Sequence, residues 1–369
     1  MEKTNRNDLA DILKAIGIIS VVIGHSCTTI TPLNIQAKAF VYTYHLMVFF
    51  LVTGFCYKAD KYAPHPVRFV WRRFLSIYVM DVVYTVIFIL LHNTFVRLKM
   101  VTFGGTYNAA RLIAAIKDAL ILNSTSEAFL SPLWFLPVML VAVMAFGLLM
   151  SLSRFVFKKL GEKFSFLSGK EWIFDAVIVL LFACLGLYVH AKRMTFFWHA
   201  QTAILALPMF YVGFYLRKYW DKASRFFTWY GCIISAVILY VCASNRLIGG
   251  DLNSNMIYNK GLYWPLTLVG MYFCVSLARL IEKPQPLRRA FSLIGKNSFH
   301  IMALHFMFFK IVDIIAALVM GYGIETANGY PTSYNCWLLY WIAGVGGSLG
   351  LILLLKLLRD KIIKFIRKK

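Results

Sequence analysis

The chain is dominated by apolar runs that recur along its whole length, and this limits it more than any single motif does. Ten such runs, bounded by charged or turn-forming residues, fall at about 9–30, 42–58, 74–95, 132–153, 172–190, 200–216, 226–244, 262–281, 297–320 and 336–358. A helix needs roughly 20 apolar residues to cross a bilayer, so about 200 residues are committed to hydrocarbon. Of the 369 residues, 60% are hydrophobic and only 15% charged. The expected fold is therefore an all-α integral membrane protein of about ten transmembrane helices, one domain over 1–369 with no separate soluble domain.

The net charge of +23 would suit nucleic acid if it lay on one folded surface. The Lys and Arg residues instead cluster at the ends of apolar runs, as topology signals do. Counted by connection, they favour one side of the membrane by roughly three to one, which puts both termini in the cytoplasm. The expected location is a bacterial cytoplasmic membrane, with lipids as partners and no nucleic acid. Seven scattered cysteines, mostly inside apolar runs and without CxxC spacing, imply neither a disulfide scaffold nor a metal site. The first run opens with charges that a cleavable signal peptide lacks, so it is expected to remain as a span.

Two connections have character of their own. RLIAAIKDALIL (111–122) carries apolar residues at helical spacing and predicts an interfacial or re-entrant helix. GGDLNSNMIYNKG (249–261) is dense in Gly, Asn, Asp and Ser and predicts an ordered polar loop.

Ionisable side chains inside a span cost several kcal/mol and mark the places to look for chemistry. They are Asp11, Lys14, His25, Asp81, Asp175, His305, Lys310 and Asp313, with His45 at the end of the second span. Lys14 and His25 are eleven residues apart, close to three turns, so they share a helix face about 16 Å apart along the axis. Asp11 stands one turn before Lys14 and can neutralise it. A lone histidine in an apolar span is as often a packing residue bonded to a backbone carbonyl as a functional one. Gly24 beside His25 leaves room for a ligand or a neighbouring helix.

The run RNDLADILKAIGIISVVIGHS (6–26) resembles the opening of the acyltransferase-3 family of integral membrane acyltransferases, with a basic residue and a following His on the first helix. YHLMVFFLVTGF (44–55), SPLWFLPVML (131–140), LALPMFYVGFYLRK (205–218) and LIGKNSFHIMALH (293–305) resemble later blocks of that family, in the same order. There are departures. Lys14 stands where many members have Arg, and Ser76 takes the second place of an Arg-x-x-Arg pair begun at Arg73.

The resemblance implies transfer of an acyl group, usually acetyl from acetyl-CoA, to a hydroxyl of a cell-envelope glycan or lipid-linked saccharide. On that reading His25 is the general base or a transient acyl carrier, His45 shares the proton or binds acceptor, and no metal takes part. Lys14 and Arg6, with Arg72, Arg73 and Lys296, would bind the phosphates of the coenzyme A thioester, and Asp11 would belong to that site as the partner of Lys14. Asp313 lies at a depth similar to that of His25 and is a possible carboxylate partner, although Lys310 at i−3 offers it a simpler ion pair. Trp134, His305 and Asn297 would line the substrate path. The competing reading is a transporter or flippase of a lipid-linked saccharide, which should show paired broken helices.

Overall fold

The computed structural model describes residues 8–27, 31–101, 104–122, 127–164 and 169–366. Helices account for nearly all of it: α1 (Asp8–Ser26), α2 (Pro32–Tyr42), α3 (Met47–Phe55), α4 (Ala59–Tyr62), α5 (Pro66–Arg97), α6 (Ala109–Leu120), α7 (Phe135–Lys163) and α8 (Glu171–Ala191) form the first half. α9 (Ala200–Lys218), α10 (Trp220–Ala223), α11 (Trp229–Ser244), α12 (Lys260–Glu282), α13 (Gln285–Lys296), α14 (Ser298–Val319), α15 (Trp337–Ile342) and α16 (Ser348–Ile366) complete it.

Eight helical segments are long and apolar enough to cross a membrane, with α2 and α3 counted together as Pro32–Phe55. A ninth follows if the pair Trp220–Phe226 and Trp229–Ser244, bent by 68°, forms one broken span. The sequence led us to expect ten. Of the two expected runs outside the eight, 226–244 belongs to that bent pair and 200–216 forms α9. The surroundings of α9 explain why it is not among the eight: it is wrapped by α3, α7 and α8, and buries Gln201 and Thr202 against protein. A helix shielded from lipid by its neighbours need not be uniformly apolar.

α1 sits at the centre, touching α2, α3, α12, α13 and α14, and most of its residues are buried. Close approach depends on glycines, because apolar side chains alone gain little by leaving lipid for protein. Gly54 of α3 lies against the Phe210 carbonyl of α9, and Gly213 of α9 against the Leu51 carbonyl of α3, so a methyl group at either would collide with backbone. Gly295 on α13 abuts the Asp11 carbonyl of α1 in the same way.

The two expected connections are both present. α6 forms the helix expected at 111–122, starts at an Asn108 cap whose Oδ1 accepts from the Arg111 amide, and buries Ala115 and Ala119 beside Ile89 of α5. The 249–261 loop is a small antiparallel hairpin pairing Gly250–Asp251 with Met256–Ile257. Asp251 turns it, accepting from the Asn253 amide and the Ser254 hydroxyl, both at 3.0 Å. Gly250 has φ +132° and faces the Met256 carbonyl closely, a position that requires glycine. Asn259 then caps α12 through the Leu262 amide.

Candidate active site

α1 ends at Ser26, and its last turn carries His25 into a cavity. Tyr42 and His45 at the α2–α3 junction form one wall, Trp134 ahead of α7 another, and the hairpin with Asn259 and Tyr263 of α12 the remainder. The space within it is about 60 Å³, enough for a hydroxyl and its neighbours. A second cavity of about 530 Å³ shares Tyr42 and residues 248–251 with it and also meets Lys38 and Arg246. The hairpin thus lines both a small chamber and a wider cavity.

The small chamber presents two histidines. His25 is half-buried, and its Nδ1 lies 2.9 Å from Nε2 of His305. The His25 ring also meets Phe306 edge-on, with centroids 5.0 Å apart. His45 is buried and its Nδ1 donates to the Val41 carbonyl at 3.1 Å, one turn back, while its ring stacks on Tyr42 at 4.5 Å. A carbonyl only accepts, so His45 keeps its proton on Nδ1 and a lone pair on Nε2. Each ring thus commits Nδ1 to the protein, and Nε2 of neither has a hydrogen-bond partner among the described residues. Two imidazoles with Nε2 open at such a space are suited, when neutral, to accepting and relaying a proton.

Trp134 packs against His199 at 5.2 Å. Burial lowers the His199 imidazole below its ordinary value, with the Asp251 carboxylate acting in the opposite direction. The chamber wall therefore combines the Trp134 ring and the Asp251 carboxylate, with His199 packed against the tryptophan.

Support for the histidines comes from behind. Between α15 and α16 the chain makes a π-helical turn, Ala343–Gly347, packed on α14. A Cβ at Gly344 would lie 2.7 Å from the Phe309 ring, 2.9 Å from Val22 and 3.4 Å from His305 Cβ. Such π-turns concentrate at functional sites, and this one lets backbone close over the His25–His305 pair.

The other end of α1 is basic. Lys14 pairs with Asp11 at 3.2 Å. Lys14, Asp11, Arg73 and Arg217 all act electrostatically on Cys56 at the end of α3. Arg73 lies over the Phe69 ring at 5.4 Å, and Arg217 over Phe55 at 5.4 Å. Arg72 and Lys296 are exposed. Arg6 lies outside the described residues.

Three expectations need correction. Asp313 does not reach His25: its carboxylate accepts from Lys310, from the backbone and hydroxyl of Ser333, and from Tyr340. Asn297 does not line the chamber. Its amide donates to Leu293 O and accepts from Lys356 Nζ at 2.6 Å, which fastens the α13–α14 joint to α16. His305 is fully buried behind His25 and touches that side chain rather than the cavity. Tyr42, Asp251, Tyr263 and Arg217 were not anticipated. The turn-rich composition of 249–261 indicated an ordered loop, but nothing in it pointed to the chamber.

A model of the acyltransferase domain of the acyltransferase-3 family matches residues 8–357. The chain belongs to the acyltransferase-3 family. It is accordingly a multi-pass integral membrane protein with acyltransferase activity, and the match runs through every element of the site. A 115-residue stretch is also similar to the lipoprotein signal peptidase of Blochmanniella pennsylvanica (strain BPEN). The identity is 25%, covering 30% of this chain and 68% of that protein. Identity of that order over less than a third of the chain carries no assignment of activity. No solved structure matches significantly.

Proposed function

We propose that the protein takes an acetyl group from cytoplasmic acetyl-CoA and transfers it to a hydroxyl of a cell-surface glycan or lipid-linked saccharide, with His25 as general base. The observation that carries this reading is the layout of α1. One rigid helix holds a histidine in a hydroxyl-sized chamber at one end and a lysine in a basic cluster at the other. Lys14, Arg73 and Arg217 would donate charge-assisted hydrogen bonds to the phosphates of the donor. The separation along α1, about 16 Å, is within the reach of an extended pantetheine arm, which would bring the thioester to His25.

In the transfer, the acceptor oxygen attacks the thioester carbonyl while His25 Nε2 takes its proton. The carbon–sulfur bond then breaks, and the departing thiolate receives that proton. Trp134 offers a face for a sugar ring, and His45 Nε2 a second acceptor for the hydroxyl hydrogen. In this orientation the chamber opens to the outer side and the basic end to the cytoplasm of a bacterial membrane, in keeping with the distribution of Lys and Arg.

The test is thiol release from acetyl-CoA by the purified protein in nanodiscs, with and without an envelope-glycan acceptor, comparing wild type with His25→Ala. Release that needs His25 and rises with acceptor is expected. A well-folded preparation with no release from any acyl-CoA would instead favour movement of a lipid-linked saccharide.

A further inference from the structure

Among the described residues, the one hydrogen-bond partner of His25 is another histidine. The His305 ring is fully buried, and its Nδ1 lies 3.0 Å from the Ile301 carbonyl and 2.9 Å from the Met302 carbonyl of its own helix. A carbonyl oxygen has no proton to give, so Nδ1 of His305 carries the hydrogen. In the neutral ring Nε2 is then a bare lone pair, and it is this atom that faces His25 Nδ1 at 2.9 Å. Two lone pairs do not meet at that distance, so His25 Nδ1 is the donor.

The ring geometry agrees. The two planes are 5° apart and the centroids 5.2 Å apart, which is the hydrogen-bond length plus one ring radius at each end. The imidazoles therefore lie end to end in a common plane rather than face to face, and the N–H points along the acceptor lone pair.

Resting on the general-base reading, we propose that His305 is a positioning residue: through its Nε2 it holds His25 in the Nδ1–H tautomer, leaving His25 Nε2 bare to take the acceptor proton. When that proton arrives, His25 becomes an imidazolium and its bond to His305 becomes charge-assisted. The Nδ1 proton of His25 can then shift to His305 Nε2, passing charge to a ring whose other N–H already faces two carbonyl oxygens. On return of the proton to the thiolate, both rings are neutral again. A buried carboxylate could orient His25 equally, but inside a span it would carry a permanent charge that a neutral imidazole avoids.

The tautomer can be read without turnover. ¹⁵N NMR of ring-labelled protein in nanodiscs, with the His25 signals assigned by their loss in His25→Ala, should show a protonated Nδ1 and a bare Nε2. In His305→Phe those signals should move toward a mixture of tautomers, and kcat should fall by about 10²–10⁴-fold with little change in donor KM. His305→Gln places an amide oxygen near the position of Nε2 and should recover at least about tenfold of that loss, by restoring the same acceptor. A wild-type His25 protonated at Nε2, or a folded Gln variant no better than Phe, overturns the proposal. Turnover retained by His25→Ala would overturn the base reading itself, a separate result because the tautomer spectrum does not depend on it.

Discussion

Lys310 places its ammonium 2.8 Å from the Asp313 carboxylate, one turn along α14, with both side chains buried. The same Nζ donates to the carbonyls of Ala327 and Gly329, and the same carboxylate holds Ser333 and Tyr340. The pair is a structural node joining α14 to the 327–340 segment. Asp313→Ala leaves a buried ammonium without its counter-ion and should cost about 3–5 kcal/mol of stability. Turnover per folded molecule should stay near wild type. Thermal unfolding and active-site-normalised kinetics check this, and a stable Asp313→Asn protein with turnover nearly abolished would return the carboxylate to the chemistry.

Lys14 is half-exposed beside Asp11. Lys14→Met should raise the KM for acetyl-CoA by about tenfold, the value of one charge-assisted contact, with kcat largely kept. Lys14→Arg should stay within a few-fold of wild type. The difference between Lys and Met should shrink with added salt. A loss confined to kcat would argue against phosphate binding.

The π-turn behind the histidines offers a matched pair of substitutions. Gly344→Ala drives a methyl group to within 2.7 Å of the Phe309 ring, and overpacking of this kind costs about 1–3 kcal/mol. Because Phe309 packs on His305 at 5.5 Å, activity should fall together with stability. Gly346→Ala, two residues on, meets nothing within 4 Å and should be close to silent. Equal behaviour of the two would show that the contact is irrelevant.

Trp134 is the aromatic wall of the chamber. Trp134→Leu should weaken acceptor use by about 0.5–1.5 kcal/mol, the usual worth of a ring contact beyond its area. Acceptor KM measured at saturating donor is the readout, and donor KM should not move. A parallel rise in donor KM would place Trp134 on the acyl side instead.

Period and composition made the helices of this protein legible, and α1 in particular showed its face: Lys14 and His25 lie along it as the eleven-residue spacing requires. Three-dimensional pairing was not legible. The depth of His305 suited a site-lining and a packing role equally. Its contact with His25 spans 280 positions, and no local pattern encodes it. The Lys310–Asp313 pair was legible from its i, i+3 spacing, whereas Ser333 and Tyr340, which fill the rest of the carboxylate, lie in a segment with no periodicity to reveal that it folds back. α9 was legible as a helix, but its enclosure by α3, α7 and α8 was not, because hydropathy does not report which neighbours a helix has. The 249–261 loop was recognisable as ordered, yet its place over the chamber depends on the packing of α11 and α12.

α1 is also a ruler. Lys14 and His25 are fixed to one another in distance and in phase by a continuous hydrogen-bonded rod, so neither end can be adjusted alone. Substitutions along its buried faces change packing and leave the register intact. A single residue inserted anywhere from 15 to 24 would turn one end against the other by about 100° and advance it about 1.5 Å. That would take His25 off His305 while leaving Lys14 in its cluster, so the helix tolerates changes of side chain far better than changes of length.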